Sequence, residues 1–338
     1  MERDSESGPL HKVWNGMIPI ELQLAPADAI ELLASATLPE PFQTFYLLVP
    51  RVGYLPFISS KIKERWIDPM FALSGSRLHG SSSDSSSVKE SDMWYEYKGQ
   101  PLKWHYPVGL LYDMHVNNVA SGEAELPWSL TLHVRKFPAA RLIPSPTAQA
   151  MRDMFMAMIK EADFIRNGST KRVMDLAKSD QMQLLDGLES HSFEQYFAIH
   201  SILVPTPDPR APVSSSGPKI QQPKAIPLRF YTQLQAGMAD DGSSKAGDAA
   251  GTQAQFHVSQ CPVPLASDSS AQGEQTTLAD AFRMCYEIAD QAPSPAAFAG
   301  QSTCLCQGVR IPWETPIGWL AENLFYADCF LHLVVVNN

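Results

Sequence analysis

Cysteine and histidine side chains offer the most direct route to chemistry in this sequence, through metal binding or nucleophilic attack. Cys304 and Cys306 are two residues apart and would share one face of a strand, so both sulfurs could bind one metal ion. Cys261, His257 and His332 are candidates for the remaining ligands. A structural zinc site normally uses closely spaced pairs from both halves of its ligand set. The spacing therefore favours two core residues of a strand, and no metal or cofactor is predicted.

A thiol nucleophile at Cys285, with His332 as its base, is the second candidate. Cys285 shares a helical face with Leu278, Ala281 and Phe282, and a thiol in such apolar surroundings is usually inert packing. The sequence also contains no phosphate-binding loop, nucleophile elbow or zinc-protease motif. No catalytic residue is predicted, although a thiol- or zinc-dependent enzyme remains the rival interpretation.

Composition excludes several classes of partner. The 338 residues include 26 basic and 36 acidic side chains, for a net charge of −10. Nucleic-acid binding needs a basic face that displaces counterions from phosphate, so it is not expected. The same charge disfavours attachment to anionic lipid by electrostatics alone. The acidic start is unlike a signal peptide, and five cysteines, an odd number, favour reduced thiols in a cytosolic protein.

Low-complexity stretches divide the chain. Ser81–Ser87 is serine except for Asp84, and seven prolines fall between Pro205 and Pro227. The serine run predicts a solvated loop. The proline-rich stretch predicts a linker, because proline stiffens the backbone and removes a hydrogen-bond donor. The predicted organisation is a tail over 1–12, a first module over 13–139, a helix-rich domain over 140–204, a linker over 205–224, and a second module with long loops over 225–338.

Hydrophobic periodicity separates the modules from the middle domain. Alternation around Ile18 and Ile20 predicts a strand, and spacing of three to four predicts a helix over 56–68. In the middle domain, one apolar stripe runs along the first predicted helix, which either Ser145-Pro146 or Thr147 can cap and Asn167-Gly168 can end. The stripe consists of Met151, Met154, Phe155, Met158 and Ala162. Asp180 with Gln183, and Ser192 with Gln195, have capping-box spacing for two further helices.

An internal repeat links the first and last parts of the chain. Seven positions recur at an offset of 209 residues, and Ile18-Pro19-Ile20 matches Ile226-Pro227-Leu228 at an offset of 208. The seven pairs are Gly99/Gly308, Leu102/Ile311, Trp104/Trp313, Pro107/Pro316, Val108/Ile317, Gly109/Gly318 and Leu111/Leu320. Such agreement in register predicts two copies of one α+β module, each a small mixed sheet over a helix as in ubiquitin.

Several motifs resemble the autophagy protein 5 family. They are Pro50-Arg51-Val52-Gly53-Tyr54-Leu55, the run from Pro101 to Leu111 that begins Pro-Leu-Lys-Trp, Leu126-Pro127-Trp128, Met156 to Asp163, and Glu314 to Leu320. The resemblance implies two ubiquitin-like (β-grasp) modules flanking a helix-rich domain, the arrangement that the repeat also predicts. The serine run, the proline-rich linker and the loops after Gln235 depart from the family pattern.

The resemblance also implies one functional residue. In that family a lysine of the middle domain forms an isopeptide bond with the C-terminal glycine of autophagy protein 12, a ubiquitin-like protein, and the matching position here is Lys160. At about 100° per residue, Lys160 lies opposite the apolar stripe of its helix. An acceptor amine must reach a thioester on another protein, so exposure on a rigid element is expected.

Further partners follow from the same resemblance. It implies non-covalent binding of an N-terminal helix of autophagy protein 16, transient contact with autophagy proteins 7, 10 and 3, and a ligase-like role in attaching autophagy protein 8 to phosphatidylethanolamine. The chain itself would not be catalytic, and it would act in the cytoplasm and peripherally on the isolation membrane. A helix-binding adaptor that is never conjugated is the alternative, and the residues of the partner groove are not predicted.

Overall fold

Two five-stranded β-sheets and a group of helices make up the described part of the protein, seen in a computed structural model. The structure describes residues 8–33, 40, 42–73, 88–116, 125–205, 223–234, 255–265, 275–287 and 302–337. Ser81–Ser87, the loops after Gln235 and most of the proline-rich linker lie outside the described residues. The two sheets lie before and after the helices in the chain, which confirms the predicted α+β class.

The first sheet is built around β1 (Met17–Leu24), whose side chains alternate between the core and the outer face. It pairs with β2 (Phe45–Pro50) antiparallel and with β5 (Trp128–His133) parallel. β3 (Trp94–Tyr97) and β4 (Gln100–Pro101) complete the order β2-β1-β5-β3-β4. Because a slip of one residue would turn the apolar set to solvent, the alternation predicted from the sequence also determines the register.

Among the described residues, five α-helices accompany this sheet: α1 (Pro9–Trp14), α2 (Pro26–Leu33), α3 (Leu55–Ile62), α4 (Asp68–Leu73) and α5 (Val108–His115). A π-helical turn over Lys63–Ile67 joins α3 to α4. The helix predicted over 56–68 is therefore present, and it continues to Leu73. A single 3₁₀ turn over Glu90–Asp92 precedes β3.

The second sheet repeats the first. Its strands are β6 (Ile226–Gln233), β7 (Phe256–Val263), β8 (Ser302–Cys306), β9 (Val309–Ile311) and β10 (Leu331–Asn337). Their order, β7-β6-β10-β8-β9, is that of the first sheet, and the first and last strands again pair in parallel. Helices α10 (Leu278–Glu287) and α11 (Ile317–Asn323) belong to this module. The duplicated module predicted from the 209-residue offset is confirmed.

The repeated glycine explains part of that sequence match. Gly99 and Gly308 each close the two-residue turn between the third and fourth strands of their sheets, with φ of 82° and 78°. The preceding residues, Lys98 and Gln307, also have positive φ, 47° and 52°. A turn with two positive φ values matches the twist of a hairpin, and glycine adopts it without steric cost.

Four helices form the middle region: α6 (Ala148–Asn167), α7 (Lys171–Met174), α8 (Lys178–Glu189) and α9 (Phe193–Leu203). Ser192 caps α9 by accepting a hydrogen bond from the Gln195 amide, as predicted. The predicted Asp180 cap is wrong, because α8 begins at Lys178 and Asp180 lies inside its first turn. Among the described residues, no helix has the length and hydrophobicity needed to cross a membrane.

A buried ion pair joins the two modules. Arg51, just after β2, contacts Asp113 of α5 at 2.6 Å, and the Asp113 side chain is fully buried. Asp113 also accepts a hydrogen bond of 2.8 Å from the backbone amide of Gly308, in the β8–β9 turn. The Arg51 guanidinium lies close to Gly308, where an added Cβ would approach it to 3.1 Å. The turn of the second module is therefore held by side chains of the first.

One disulfide corrects the expectation of five reduced thiols. Cys261 of β7 is bonded to Cys285 of α10, with Cα atoms 5.4 Å apart. The two residues are separated by 24 positions, and only the packing of α10 against β7 brings them together. Cys304, Cys306 and Cys329 are free and buried.

Candidate functional site

The helix that carries Lys160 is well defined at both ends. The Thr147 side chain accepts a hydrogen bond from the Ala150 amide, and Gly168 ends α6 in the left-handed conformation with φ of 74°. Both signals were predicted from the sequence. Met151, Phe155, Met158 and Ala162 of the predicted stripe are buried, while Met154 is half-buried. The stripe packs α6 against the rest of the protein and leaves its other face in solvent.

Lys160 lies on the solvent face of α6 and is exposed, as the helical spacing predicts. The next residue, Glu161, is instead held by the second module. Its carboxylate accepts hydrogen bonds of 2.8 Å from Arg229 Nη2 and 2.8 Å from Gln260 Nε2. Arg229 also stacks on the Phe330 ring at 4.1 Å. The helix is thus fixed one residue away from an amine that remains accessible.

The first module holds the same helix from the other side. The Phe155 ring lies 6.0 Å from the Tyr54 ring, and Tyr54 in turn packs edge-on against Phe57 of α3. Phe155 and Tyr54 are fully buried. Burial raises the pKa of Tyr54 well above its usual value. Because side chains of both modules pack on α6, the helix provides a rigid support for Lys160.

A second feature is an open groove of about 1050 Å³ beside α11. Its walls come from α1, β9, α11 and the connections around them. The lining residues are Pro9, Val13, Leu265, Gln275, Val309, Arg310, Ile311, Pro312, Thr315, Pro316, Gly318, Trp319, Glu322 and Leu324. Most of these are apolar, and Val309 and Trp319 are 51% and 47% exposed. An uncovered apolar surface of this kind commonly binds another protein.

Helix α1 forms one wall of the groove, and its placement differs from the predicted tail over 1–12. The helix begins at Pro9, a residue whose fixed φ favours the first helical turn. Trp14 at its end stacks on His191 with ring centroids 5.3 Å apart, and its carbonyl contacts His191 Nε2 at 2.8 Å. Trp14 also packs against Tyr196 of α9. The middle region thus anchors α1 beside the second module.

The groove is not predicted from the sequence, although the repeat contains a signal for it. Trp319 of α11 corresponds to Leu110 of α5 at the 209-residue offset. Leu110 is fully buried in the core of the second module. Trp319 has no such cover and is 47% exposed. The two copies of one helix are therefore used differently, the first as an internal contact and the second as an exposed surface.

The cysteine and histidine candidates lie in structural positions. Cys261 cannot be a free metal ligand and Cys285 cannot be a free nucleophile while they are bonded to each other. His332 contacts Asp328 at 2.8 Å and the Tyr231 hydroxyl at 2.9 Å, and it is buried. Burial raises the pKa of the Cys304 thiol, which disfavours the thiolate. Among the described residues, no group of three acidic, cysteine or histidine side chains could hold a metal ion.

Comparison with known proteins identifies the family. Domain models described as "Autophagy protein ATG5" match residues 13–134 (UblA domain), 148–206 (alpha-helical bundle region) and 225–335 (UblB domain). The chain belongs to the autophagy protein 5 family. It therefore has a role in autophagy, as a ubiquitin-like-fold component of autophagy complexes.

Individual relatives of this family extend over nearly the whole chain. Autophagy protein 5 of Drosophila melanogaster is 29% identical over 326 residues, covering 96% of this chain and 96% of that protein. Autophagy protein 5 of Oryza sativa subsp. indica is 26% identical over 392 residues, covering 99% and 96%. The crystal structure of Kluyveromyces marxianus Atg5 has the same fold, with a TM-score of 0.63 and 20% identity over 96% of this chain and 98% of that one.

Proposed function

We propose that this chain is an autophagy scaffold that is conjugated through Lys160 to autophagy protein 12. The observation that carries the proposal is an exposed lysine on a helix that both modules immobilise. In the proposed reaction the Lys160 Nζ atom, after losing a proton, attacks the carbonyl carbon of a thioester on a conjugating enzyme. The amide bond forms, the thioester C–S bond breaks and the enzyme thiol leaves.

Within the described part of the chain, no group next to Lys160 offers a strong general base. The nearest acidic side chain along the helix, Glu161, is already occupied by Arg229 and Gln260. Asp163, which follows within one turn, faces inward and accepts hydrogen bonds from the Asn167 side chain at 2.6 Å and the Val173 amide at 3.3 Å. Proton removal therefore belongs to the conjugating enzyme, and this chain contributes the position of the amine.

The groove beside α11 is the proposed site for the N-terminal helix of autophagy protein 16. Its apolar lining suits the apolar face of an amphipathic helix, with the exposed Trp319 and Val309 as anchors. Arg310 and Glu322, both exposed, can pair with charges at the edges of that helix. The assembly would recruit autophagy protein 3, after transient contact with autophagy proteins 7 and 10, and promote transfer of autophagy protein 8 to phosphatidylethanolamine.

The scaffold itself would be non-catalytic and would act in the cytoplasm and peripherally on the isolation membrane. A net charge of −10 supports membrane contact through partners rather than through a basic face of this chain. The groove also supports the second candidate, a helix-binding adaptor that is never conjugated.

Reconstitution with autophagy proteins 12, 7 and 10 and ATP distinguishes the two candidates. Intact-mass measurement should show one adduct with the wild-type chain and none with Lys160→Arg, which keeps the charge but provides no acceptor amine. Lys178→Arg, at an exposed lysine of α8, is the matched control and should form the adduct normally. If Lys160→Arg forms the adduct in the same yield, Lys160 is not the acceptor. If the wild-type chain forms no adduct, the adaptor that is never conjugated is the remaining candidate.

A further inference from the structure

The outer face of the second sheet shows how this module binds a helix. Arg229 lies between Leu228 and Phe230, whose side chains are fully buried in the core, so Arg229 points to the opposite face. There it meets Glu161 of α6 at 2.8 Å. Gln260, directly across from Arg229 on β7, donates to the same carboxylate. A charged pair near the β7 edge of the sheet thus fixes α6 against this face.

Apolar and aromatic groups surround that pair. Ala162 of α6 forms a small buried cluster with Cys329 and Phe330, next to the second sheet. Tyr231, on the same face as Arg229, is fully buried and packs against Tyr106 with ring centroids 5.5 Å apart. On the second sheet, the outer face of β6 is therefore covered by the rest of the protein, while Val258 and Gln260 of the edge strand β7 stay exposed.

The first sheet has an equivalent face. Glu21 of β1 precedes Arg229 by 208 residues, the offset that also relates Pro19 to Pro227. Glu21 lies directly across from Tyr46 of β2, as Arg229 lies across from Gln260 of β7. The internal repeat thus places Glu21 and Tyr46 at the positions that hold α6 on the second sheet.

On the first sheet, the corresponding face is open over β1 as well as over β2. Tyr46 and Leu48 are each 64% exposed, and Met17 at the start of β1 is 40% exposed. Among the described residues, the Glu21 carboxylate contacts the Gln23 side chain at 3.1 Å and no basic group. Large apolar side chains grouped on an edge strand are an aggregation hazard unless a partner covers them. We call Met17, Glu21, Tyr46 and Leu48 the β1–β2 face.

We propose that the β1–β2 face binds an amphipathic helix of a partner protein, with a basic residue opposite Glu21 and apolar residues against Tyr46 and Leu48. The mode of binding copies that of α6 on the second sheet. The charge on the sheet is opposite in the two modules, because Glu21 occupies the position that Arg229 has in the second sheet. A second copy offering the α6 surface would place Glu161 against Glu21, and an anionic membrane would also be repelled.

A peptide of residues 148–168, which contains α6, provides a defined probe when Glu161 is replaced by lysine. Binding to the full chain can be followed by fluorescence anisotropy of the labelled peptide. The Glu161→Lys peptide should bind the wild-type chain in a saturable manner and should bind a Glu21→Lys chain about tenfold more weakly. The peptide with native Glu161 should show the opposite preference, with tighter binding to Glu21→Lys than to wild type.

Two exposed variants serve as controls. Glu194→Lys makes the same charge change on α9 and should bind the Glu161→Lys peptide like wild type. Leu48→Asp should abolish binding, while circular dichroism and the unfolding temperature stay unchanged because the side chain is exposed. No saturable binding to wild type up to about 1 mM, or equal loss in Glu194→Lys and Glu21→Lys, would overturn the proposal.

Other occupants give distinct results. If the free chain forms a dimer by sedimentation velocity and Leu48→Asp makes it monomeric, the face is a self-association surface and the proposal is wrong. Loss of binding to vesicles of phosphatidylserine in Leu48→Asp would likewise contradict it, by identifying the occupant as lipid. Because none of these variants involves Lys160 or the groove, the outcome is independent of the proposed conjugation.

Discussion

At the scale of single residues, a buried and neutral histidine makes the stability of this protein depend on pH. His200 of α9 stacks on Phe325 of the second module at 4.7 Å, and its buried Nε2 atom has no hydrogen-bond partner among the residues that the structure describes. Burial, assisted by the charge of Arg166, lowers the pKa of His200 to about 3. His200 thus stays neutral in the folded protein over the physiological range, while in the unfolded chain it takes up a proton below about pH 6.5.

Stability should therefore fall as the pH is lowered from about 6.5 toward 3, because the unfolded state binds more protons than the folded state. His200 contributes a slope of about 1.4 kcal/mol per pH unit in that range. Urea unfolding at several pH values should show a shallower dependence for His200→Phe than for wild type. Identical slopes for wild type and His200→Phe would contradict the prediction.

At the scale of elements, the two copies of the short helix after the fourth strand have different tasks. Leu110 of α5 is buried against the second module, whereas Trp319 of α11 lies exposed in the groove. The groove needs α1 as its other wall, and the contact of Trp14 with His191 holds α1 in place. The groove proposed to bind a partner is thus built from α1 near the start of the chain and from β9 and α11 near its end.

Trp319→Ser should weaken binding of the autophagy protein 16 helix about 30-fold or more, because removal of a central aromatic anchor typically costs at least 2 kcal/mol. Isothermal titration calorimetry with the purified helix gives the affinity directly. Met174→Ser, at a methionine of α7 that is 61% exposed, is the matched control. Unchanged affinity in Trp319→Ser, or equal loss in both variants, would place the helix elsewhere.

At the scale of the whole molecule, the Arg51–Asp113 pair couples the two modules. Asp113 is fully buried and is shared between Arg51 and the Gly308 amide. Burial lowers the pKa of Arg51, and the neighbouring Asp113 charge raises it. The net result is a raised pKa of Arg51. Removal of one partner leaves a buried charge uncompensated, which is more costly than the loss of an exposed pair.

Asp113→Asn should lower the free energy of unfolding by about 3–5 kcal/mol. Arg283→Gln, which breaks the exposed pair with Asp280, should cost at most about 1 kcal/mol. Chemical denaturation with intrinsic tryptophan fluorescence measures both. A loss below about 1 kcal/mol for Asp113→Asn would show that the pair does not join the modules energetically.

The sequence alone was sufficient to predict the repeated module, the α+β class and the exposure of Lys160. These properties depend on periodicity and on turn chemistry, which are local: alternation around Ile18, the stripe through Phe155, and the glycine at position 99 with its copy at 308. The family resemblance then supplied the expected acceptor, and Lys160 as that acceptor remains a prediction.

Only the tertiary structure revealed which surfaces are covered. The Cys261–Cys285 bond, the groove beside Trp319 and the open face around Glu21 all arise from contacts between segments that are far apart in the chain. Periodicity shows which side of a strand or helix is apolar, but it does not show whether another element packs there. The two copies of one module share a pattern and differ in their neighbours, and those neighbours determine which surfaces remain free to bind.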